Sequence, residues 1–255
     1  MRPLVSVIVV TLDDESGLTE TLCSLRPLVR MAGEEVEVIV ADGGSCYPVG
    51  DVVNRNLPEA VIDQAVDGGV YQGMNRGLSR SQGEFVWFLN GGDSCATDWV
   101  SLREVLIGER GAMVMNDHIV LYPDGTRNAR RSRPAWYLLH SLPTSHQAIL
   151  YPGDAARAFP YDASYDVAGD YAFTAELKSQ GVEMVRGHIV VSIFRPGGVS
   201  TTRIREVARQ VHRAQREILG APIWVRGPSQ LLFSLTRRRA RWRFGRHREM
   251  AADYS

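Results

Sequence analysis

The chain has 255 residues, 44% hydrophobic and 23% charged, the balance of a soluble globular protein with one sizeable α/β domain. No fixed-period repeat is present, which excludes a solenoid, and no stretch approaches the roughly 18 apolar residues of a membrane-spanning helix. The net charge of zero hides an asymmetry: residues 203–248 carry thirteen Arg against Glu206 and Glu217, whereas the first 202 residues hold sixteen basic and twenty-five acidic side chains. Such a basic end suits an anionic partner, either nucleic acid or a membrane surface. Cys23, Cys46 and Cys95 are odd in number and lack metal-ligand spacing. Together with an apolar N-terminal run too short for a signal peptide, they point to a reducing, cytoplasmic location.

Leu4 to Val10 is a near-continuous apolar run interrupted by Ser6, the pattern of a strand buried in a parallel sheet. Leu18, Leu22 and Leu25 follow at helical spacing. Val36 to Ala41 is a second buried strand ending at Asp42-Gly43-Gly44-Ser45, and Val61 to Val66 a weaker third ending at Asp67-Gly68-Gly69. Phe85 to Leu89 is the fourth, ending at Asn90-Gly91-Gly92-Asp93. Alternation of strand and helix predicts an α/β, Rossmann-like, mostly parallel sheet flanked by helices. Beyond it, Met113–Met115 and Ile119–Tyr122 read as strands, with a hairpin turn at Pro123-Asp124-Gly125. Asp170–Gln180 reads as a helix, Ile189–Phe194 as a strand, and Arg203–Leu219 as a helix broken by 220–228.

Three strands each end in a Gly-rich loop bearing an Asp. In open parallel sheets the ligand crevice lies outside these carboxyl ends. Glycine lets backbone approach a ligand closely, and Asp supplies an acceptor for a nucleoside or an oxygen for a hard metal. An Asp-Gly pair also simply makes a turn, but three at corresponding ends converge on one crevice. The connection after the first strand, Thr11-Leu12-Asp13-Asp14-Glu15-Ser16-Gly17, has three acids and one glycine. It excludes both the dinucleotide fingerprint and the P-loop.

Val5-Ser6-Val7-Ile8-Val9-Val10-Thr11 and Val40-Ala41-Asp42-Gly43-Gly44-Ser45 resemble the opening of the family 2 glycosyltransferases of GT-A fold. Asp67-Gly68-Gly69-Val70-Tyr71-Gln72-Gly73-Met74-Asn75-Arg76-Gly77 is similar to that family's D-x-G-I-Y-D-A-M-N-x-G segment. Leu89-Asn90-Gly91-Gly92-Asp93 resembles its metal loop. The likeness runs on through His140-Ser141-Leu142-Pro143, Ser145-His146-Gln147-Ala148 and Gly169-Asp170-Tyr171 to Gly197-Gly198-Val199-Ser200-Thr201-Thr202. Across 130–202 it is nearest to the colanic-acid-type exopolysaccharide enzymes.

The resemblance implies an inverting, metal-dependent transfer of a sugar from GDP-fucose or a UDP-hexose to a growing, lipid-linked exopolysaccharide or cell-surface glycan repeat unit. It places Thr11, Asp42, Gly43, Asp67, Tyr71, Asn75, Arg76, Asn90 and Gly92 about the donor, with Arg76 as a phosphate partner. Asp93 would bind Mg²⁺ or Mn²⁺. Because Asn90 and Gly92 stand where many relatives have Asp, metal affinity is expected to depend on bound donor. Asp170, with Asp166 as its rival, would be the general base at a helix start. His146 and Gln147 would lie near the diphosphate or acceptor.

Residues 1–220 are read as the glycosyltransferase domain, with a donor half over 1–100 and an acceptor half over 101–220. Residues 221–255 form a basic amphipathic tail. Its interleaved aromatics and Arg suit docking on the anionic cytoplasmic face of the inner membrane, beside a polyprenyl-diphosphate-linked acceptor. A nucleic-acid-binding protein using that tail is the rival reading, but it leaves the three Asp-Gly loops unexplained. A nucleotidyltransferase is disfavoured by the acidic first loop.

Overall fold

A computed structural model describes residues 2–197 and 203–229. The Gly198–Thr202 part of the resemblance and the Arg-rich run beyond 229 lie outside the described residues. Among the described residues nine strands form one sheet in the order β3-β2-β1-β4-β8-β6-β9-β5, with β7 on β6. β1 (Val5–Thr11), β2 (Val36–Asp42), β3 (Val61–Gln64) and β4 (Phe85–Asn90) are parallel throughout. β6 (Met113–Leu121) and β9 (Met184–Phe194) form a second parallel pair, while β5 (Ser94–Cys95), β7 (Arg127–Arg130) and β8 (Ile149–Pro152) join antiparallel.

β1 is buried at every position because helices cover both sheet faces. Val5, Val7 and Val9 point towards α1 (Glu15–Ala32) and α2 (Val49–Asn56), packing on Leu18, Leu22 and Leu25; Ile8 and Val10 point the other way, towards α3 (Val70–Arg80). Ser6 survives in this run because its hydroxyl donates to Glu37 (2.5 Å) and accepts from the Gly83 amide (2.7 Å). Gly77 brings α3 hard against β1, since a Cβ there would stand 2.4 Å from the Ile8 side chain. α4 (Trp99–Gly108) covers the first face, α5 (Gly153–Ala158) follows β8, and α6 (Gly169–Ser179) packs on α7 (Ile204–Glu217).

Four boundaries differ from the sequence reading. β3 stops at Gln64 and is an edge strand with Val61 half exposed, so only two of the three Asp-bearing strand ends come from buried strands. Met113 to Leu121 is one continuous strand, because its polar Asn116 and His118 find buried partners, and the turn at 123–125 pairs it with β7. β9 begins five residues early, at Met184, pairing with Met113. Residues 223–229 return to helix after the break at Gly220, which has φ +58°.

Candidate active site

Register places Thr11 beside Asp42 and Val10 beside Asn90, so the first, second and fourth strands end at one level around β1. This is the crevice where the chain reverses direction across the sheet. Asp42 is fully buried; its carboxylate accepts from Ser45 N (3.1 Å), Ser45 Oγ (2.5 Å) and Gly44 N (3.3 Å), fixing the loop behind β2. Ser45 Oγ in turn accepts from the Asp13 amide, and Asp13 Oδ1 accepts from the Cys46 amide, both at 2.8 Å. The first and second loops are thereby latched together, with Asp13 held at φ +50°. Thr11 Oγ1 meets the Tyr47 hydroxyl at 3.3 Å. Gly44, at φ +97°, has no room for a side chain beside Val66.

α3 joins these loops to the rest. A Cβ at Gly43 would stand 3.4 Å from the Asp67 carboxylate, so the second and third loops touch. Asp67 Oδ1 accepts from Gly69 N (3.0 Å), and Oδ2 from Arg76 Nη1 (3.0 Å). Arg76, expected as a phosphate partner, directs its donors at the protein itself: Asp63 (3.0 Å), Asp67, Ala65 O (2.6 Å) and Asp42 O (2.6 Å). It holds β2, β3 and the Asp67 loop in one position. Asn75, expected at the donor, donates to Tyr161 O and accepts from Tyr161 N, both at 2.8 Å. Four residues earlier on the same helix, Tyr71 stacks on the Tyr161 ring at 5.4 Å.

The loop after β4 sits over the start of α1. Gly92, at φ +93°, donates its amide to Thr21 Oγ1 (3.0 Å), whose hydroxyl donates to Asp93 O (2.7 Å). The Asp93 carboxylate is buried and accepts from Asn90 N (3.2 Å). Burial pushes it up to about 7, opposed by hydrogen bonds that include the Gln147 side chain. Asn90 Oδ1 lies buried with no protein partner. A carboxylate and an unpaired amide oxygen fit an oxygen-seeking divalent ion that takes its remaining ligands from elsewhere. Among the described residues no cluster of three or more His, Cys, Asp or Glu could hold a metal.

His146 and Gln147, adjacent in sequence, go to different places. Gln147 faces Asp93, while its Oε1 accepts from Ser145 Oγ and its carbonyl from Trp87 Nε1 (2.8 Å). His146 is turned into an aromatic cluster, stacked on Phe88 and bonded to the Tyr161 hydroxyl (2.6 Å). Burial holds its imidazole down at about 4, as it does for His118, which bonds Thr144 Oγ1 at 3.0 Å. Both groups ionise near pH 6.5 in an unfolded chain, so between about 6.5 and 4 the unfolded state binds the extra protons. Stability is therefore full above pH 6.5 and falls by roughly 3 kcal/mol per histidine as pH drops to 4. Urea melts between pH 7 and 4.5 should show this slope, and His118→Asn should roughly halve it; a melt independent of pH would contradict the assignment.

Asp170 is the second residue of α6, and its Oδ1 accepts from the Tyr171 amide (2.8 Å). The helix start just before it packs on Tyr71, since a Cβ at Gly169 would be 2.8 Å from the Tyr71 ring. Asp166 is drawn away, held by Gln210 and by Arg203 Nη2 (2.9 Å). Tyr161 and Asp63, which organise the site, carried no motif of their own. The exposed apolar Leu12 and Val66 flank the Gly43-Gly44 backbone, a pairing made by separate loops.

This is a GT-A fold: a mixed α/β sheet with Asp-bearing loops at the carboxyl ends of its first strands. The family profile "Glycosyl transferase family 2" matches residues 6–166, and the chain belongs to that family and is a glycosyltransferase. A PGL/p-HBAD biosynthesis glycosyltransferase of Mycobacterium tuberculosis (strain H37Rv) is 30% identical over 217 residues, covering 78% of this chain and 80% of the relative. An uncharacterised glycosyltransferase of the same strain is 38% identical over 92 residues, 36% of this chain and 34% of that protein. S. aureus TarS 1–349 in complex with UDP-GlcNAc superposes with a TM-score of 0.68 at 18% identity, over 91% of this chain and 72% of that one. In the UDP complex the chain spans 66% of the same fragment, with a TM-score of 0.66. The mannosyltransferase PcManGT of Pyrobaculum calidifontis, in complex with GDP-Man and Mn²⁺, gives 0.63 at 13% identity, over all of this chain and 76% of that one.

Proposed function

We propose that the chain transfers a sugar from a nucleotide-sugar, GDP-fucose or a UDP-hexose, to a hydroxyl of a lipid-linked cell-surface glycan, with inversion. The observation that carries this is the joining of loops bearing Asp42, Asp67 and Asp93 at the carboxyl ends of the first strands, with the start of the helix that carries Asp170 packed on Tyr71 of α3. The UDP, UDP-GlcNAc and GDP-Man complexes of proteins with this fold support a nucleoside diphosphate there. Thr11, Gly43, Asp67 and the loop shaped by Asp42 receive the nucleoside. Asp93 and Asn90 Oδ1 would hold Mg²⁺ or Mn²⁺, which when bound supplies positive charge to the leaving diphosphate. Asp170 takes the proton from the attacking hydroxyl, which then displaces the diphosphate in line.

The exopolysaccharide reading rests on the likeness of 130–202 to colanic-acid-type enzymes, whereas the mycobacterial relative that matches over 217 residues is named for PGL/p-HBAD biosynthesis. Acceptor assay decides between them. Exposed Ile223 and Trp224, which precede the Arg-rich run in the sequence, support docking on an anionic membrane surface. No helix among the described residues is long and apolar enough to cross a membrane.

A thermal-shift panel of GDP- and UDP-sugars, with and without Mn²⁺, tests the donor reading. A ligand at a hundred times its Kd stabilises by about 2.7 kcal/mol, so a true donor should raise Tm visibly, and more with Mn²⁺. No stabilisation by any member would sink the reading.

A further inference from the structure

The segment that begins with β7 carries charge that the protein does not neutralise. From 125 to 153 the sequence has no Asp or Glu but four arginines, Arg127, Arg130, Arg131 and Arg133. All four are exposed, and among the described residues none of them forms an ion pair. Arginines elsewhere on the surface do: Arg103 pairs with Glu35 and Arg157 with Asp154. Asp117, on the neighbouring strand, is engaged by Ser132 N (2.7 Å) and Ser132 Oγ (3.1 Å). β7 pairs only with β6, so its arginines fringe one rim of the sheet whichever face they leave from. The 3₁₀ turn Ala135–Leu139 follows directly and displays two large apolar side chains, Trp136 at 67% and Leu139 at 40% exposure. Its backbone is pinned: Arg133 N donates to Pro143 O (2.8 Å), the Tyr171 hydroxyl to Leu138 O (2.6 Å) and Gln215 Nε2 to Leu139 O (2.9 Å). The Arg133 guanidinium lies 4.2 Å from the Tyr137 ring centroid.

We propose that this rim, Arg127, Arg130, Arg131 and Arg133 with Trp136 and Leu139, docks the folded domain on an anionic lipid bilayer. Unpaired arginines match anionic headgroups, and a displayed Trp beside an exposed Leu matches the boundary between headgroups and acyl chains. A phosphate backbone would also satisfy the arginines, but Leu139 has no ring to stack on a base. The placement suits the reading of a lipid-linked acceptor, on which the functional consequence rests. Tyr171, which holds the turn, follows Asp170 in α6, so the bilayer would lie on the side of the proposed base. The rim also adjoins the start of the basic tail, since Ser229 Oγ, at the end of the helix at 223–229, meets His140 Nδ1 at 3.1 Å. Docking is thereby built into the folded domain and not left to the tail alone.

The test is flotation of the full chain with vesicles of phosphatidylcholine, with and without phosphatidylglycerol. Wild type is compared with the combined Arg127→Gln, Arg130→Gln and Arg131→Gln variant and with Trp136→Ala. Wild type should bind only the vesicles that contain phosphatidylglycerol, and salt should release it. Loss of three arginines should weaken that binding by about a hundredfold, and Trp136→Ala by about tenfold. Tm should stay unchanged in both, because none of these side chains is buried. Absence of wild-type binding, or equal binding to neutral vesicles, would overturn the proposal. So would binding unchanged in both variants but lost in the combined Arg237→Gln, Arg238→Gln and Arg239→Gln variant, which would leave docking to the tail. A gel shift with single-stranded RNA that the first triple variant loses, while its vesicle binding stays, would assign the rim to nucleic acid instead. If the wild-type chain transfers no sugar, the proposed function falls while flotation still decides whether this rim docks.

Discussion

Asp170→Asn should lower kcat by about 10²–10⁴-fold, the worth of a positioned general base, while nucleotide-sugar binding stays within a few-fold of wild type. Asparagine keeps the shape of the side chain, and its carbonyl can still accept from the Tyr171 amide, so α6 should stay folded. What it cannot do is take a proton. Asp166, the neighbouring carboxylate, cannot substitute, because Gln210 and Arg203 hold it on the α7 side. Residual activity above a tenth of wild type would remove Asp170 from the base role. A loss of donor binding would instead make it part of the donor site.

Asp93→Asn should cost about 10²–10³ in kcat, typical of removing one electrostatic partner of developing charge. The motif here holds a single carboxylate, so no second acid in that loop compensates. The variant is also informative about stability. Asp93 is buried, and burial pushes its carboxyl up, so the ligand-free protein gains nothing from that charge. A neutral amide of the same shape should leave Tm unchanged or slightly higher while Mn²⁺-dependent stabilisation by the donor disappears. A large fall in Tm would make Asp93 a structural residue, and retained activity would exclude it from the metal site.

The strand ends were legible because the physics that makes them is local. A run buried on both faces must be apolar, and it ends where a Gly-Asp turn begins. Register then places Thr11, Asp42 and Asn90 together without further information. The direction of individual side chains was not legible. Arg76 and Asn75 sit inside a donor motif, yet one ties down the ends of β2 and β3 and the other clamps Tyr161, because adjacent helix positions point to different partners. His146 and Gln147 differ by one position and face opposite ways, a distinction set by the aromatic packing of Phe88, Tyr151 and Tyr161. The run from Val61 is apolar like the buried strands, yet β3 is an edge strand with a neighbour on one side only.

The central claim is a nucleotide-sugar site whose metal is held jointly by Asp93 and the donor. Titrating Mn²⁺ by electron paramagnetic resonance, with and without saturating nucleoside diphosphate, tests it most directly. The account predicts weak binding to the free protein and at least tenfold tighter binding once UDP or GDP is present, lost in Asp93→Asn. Tight Mn²⁺ binding by the free protein, or binding indifferent to both nucleotides, would contradict it.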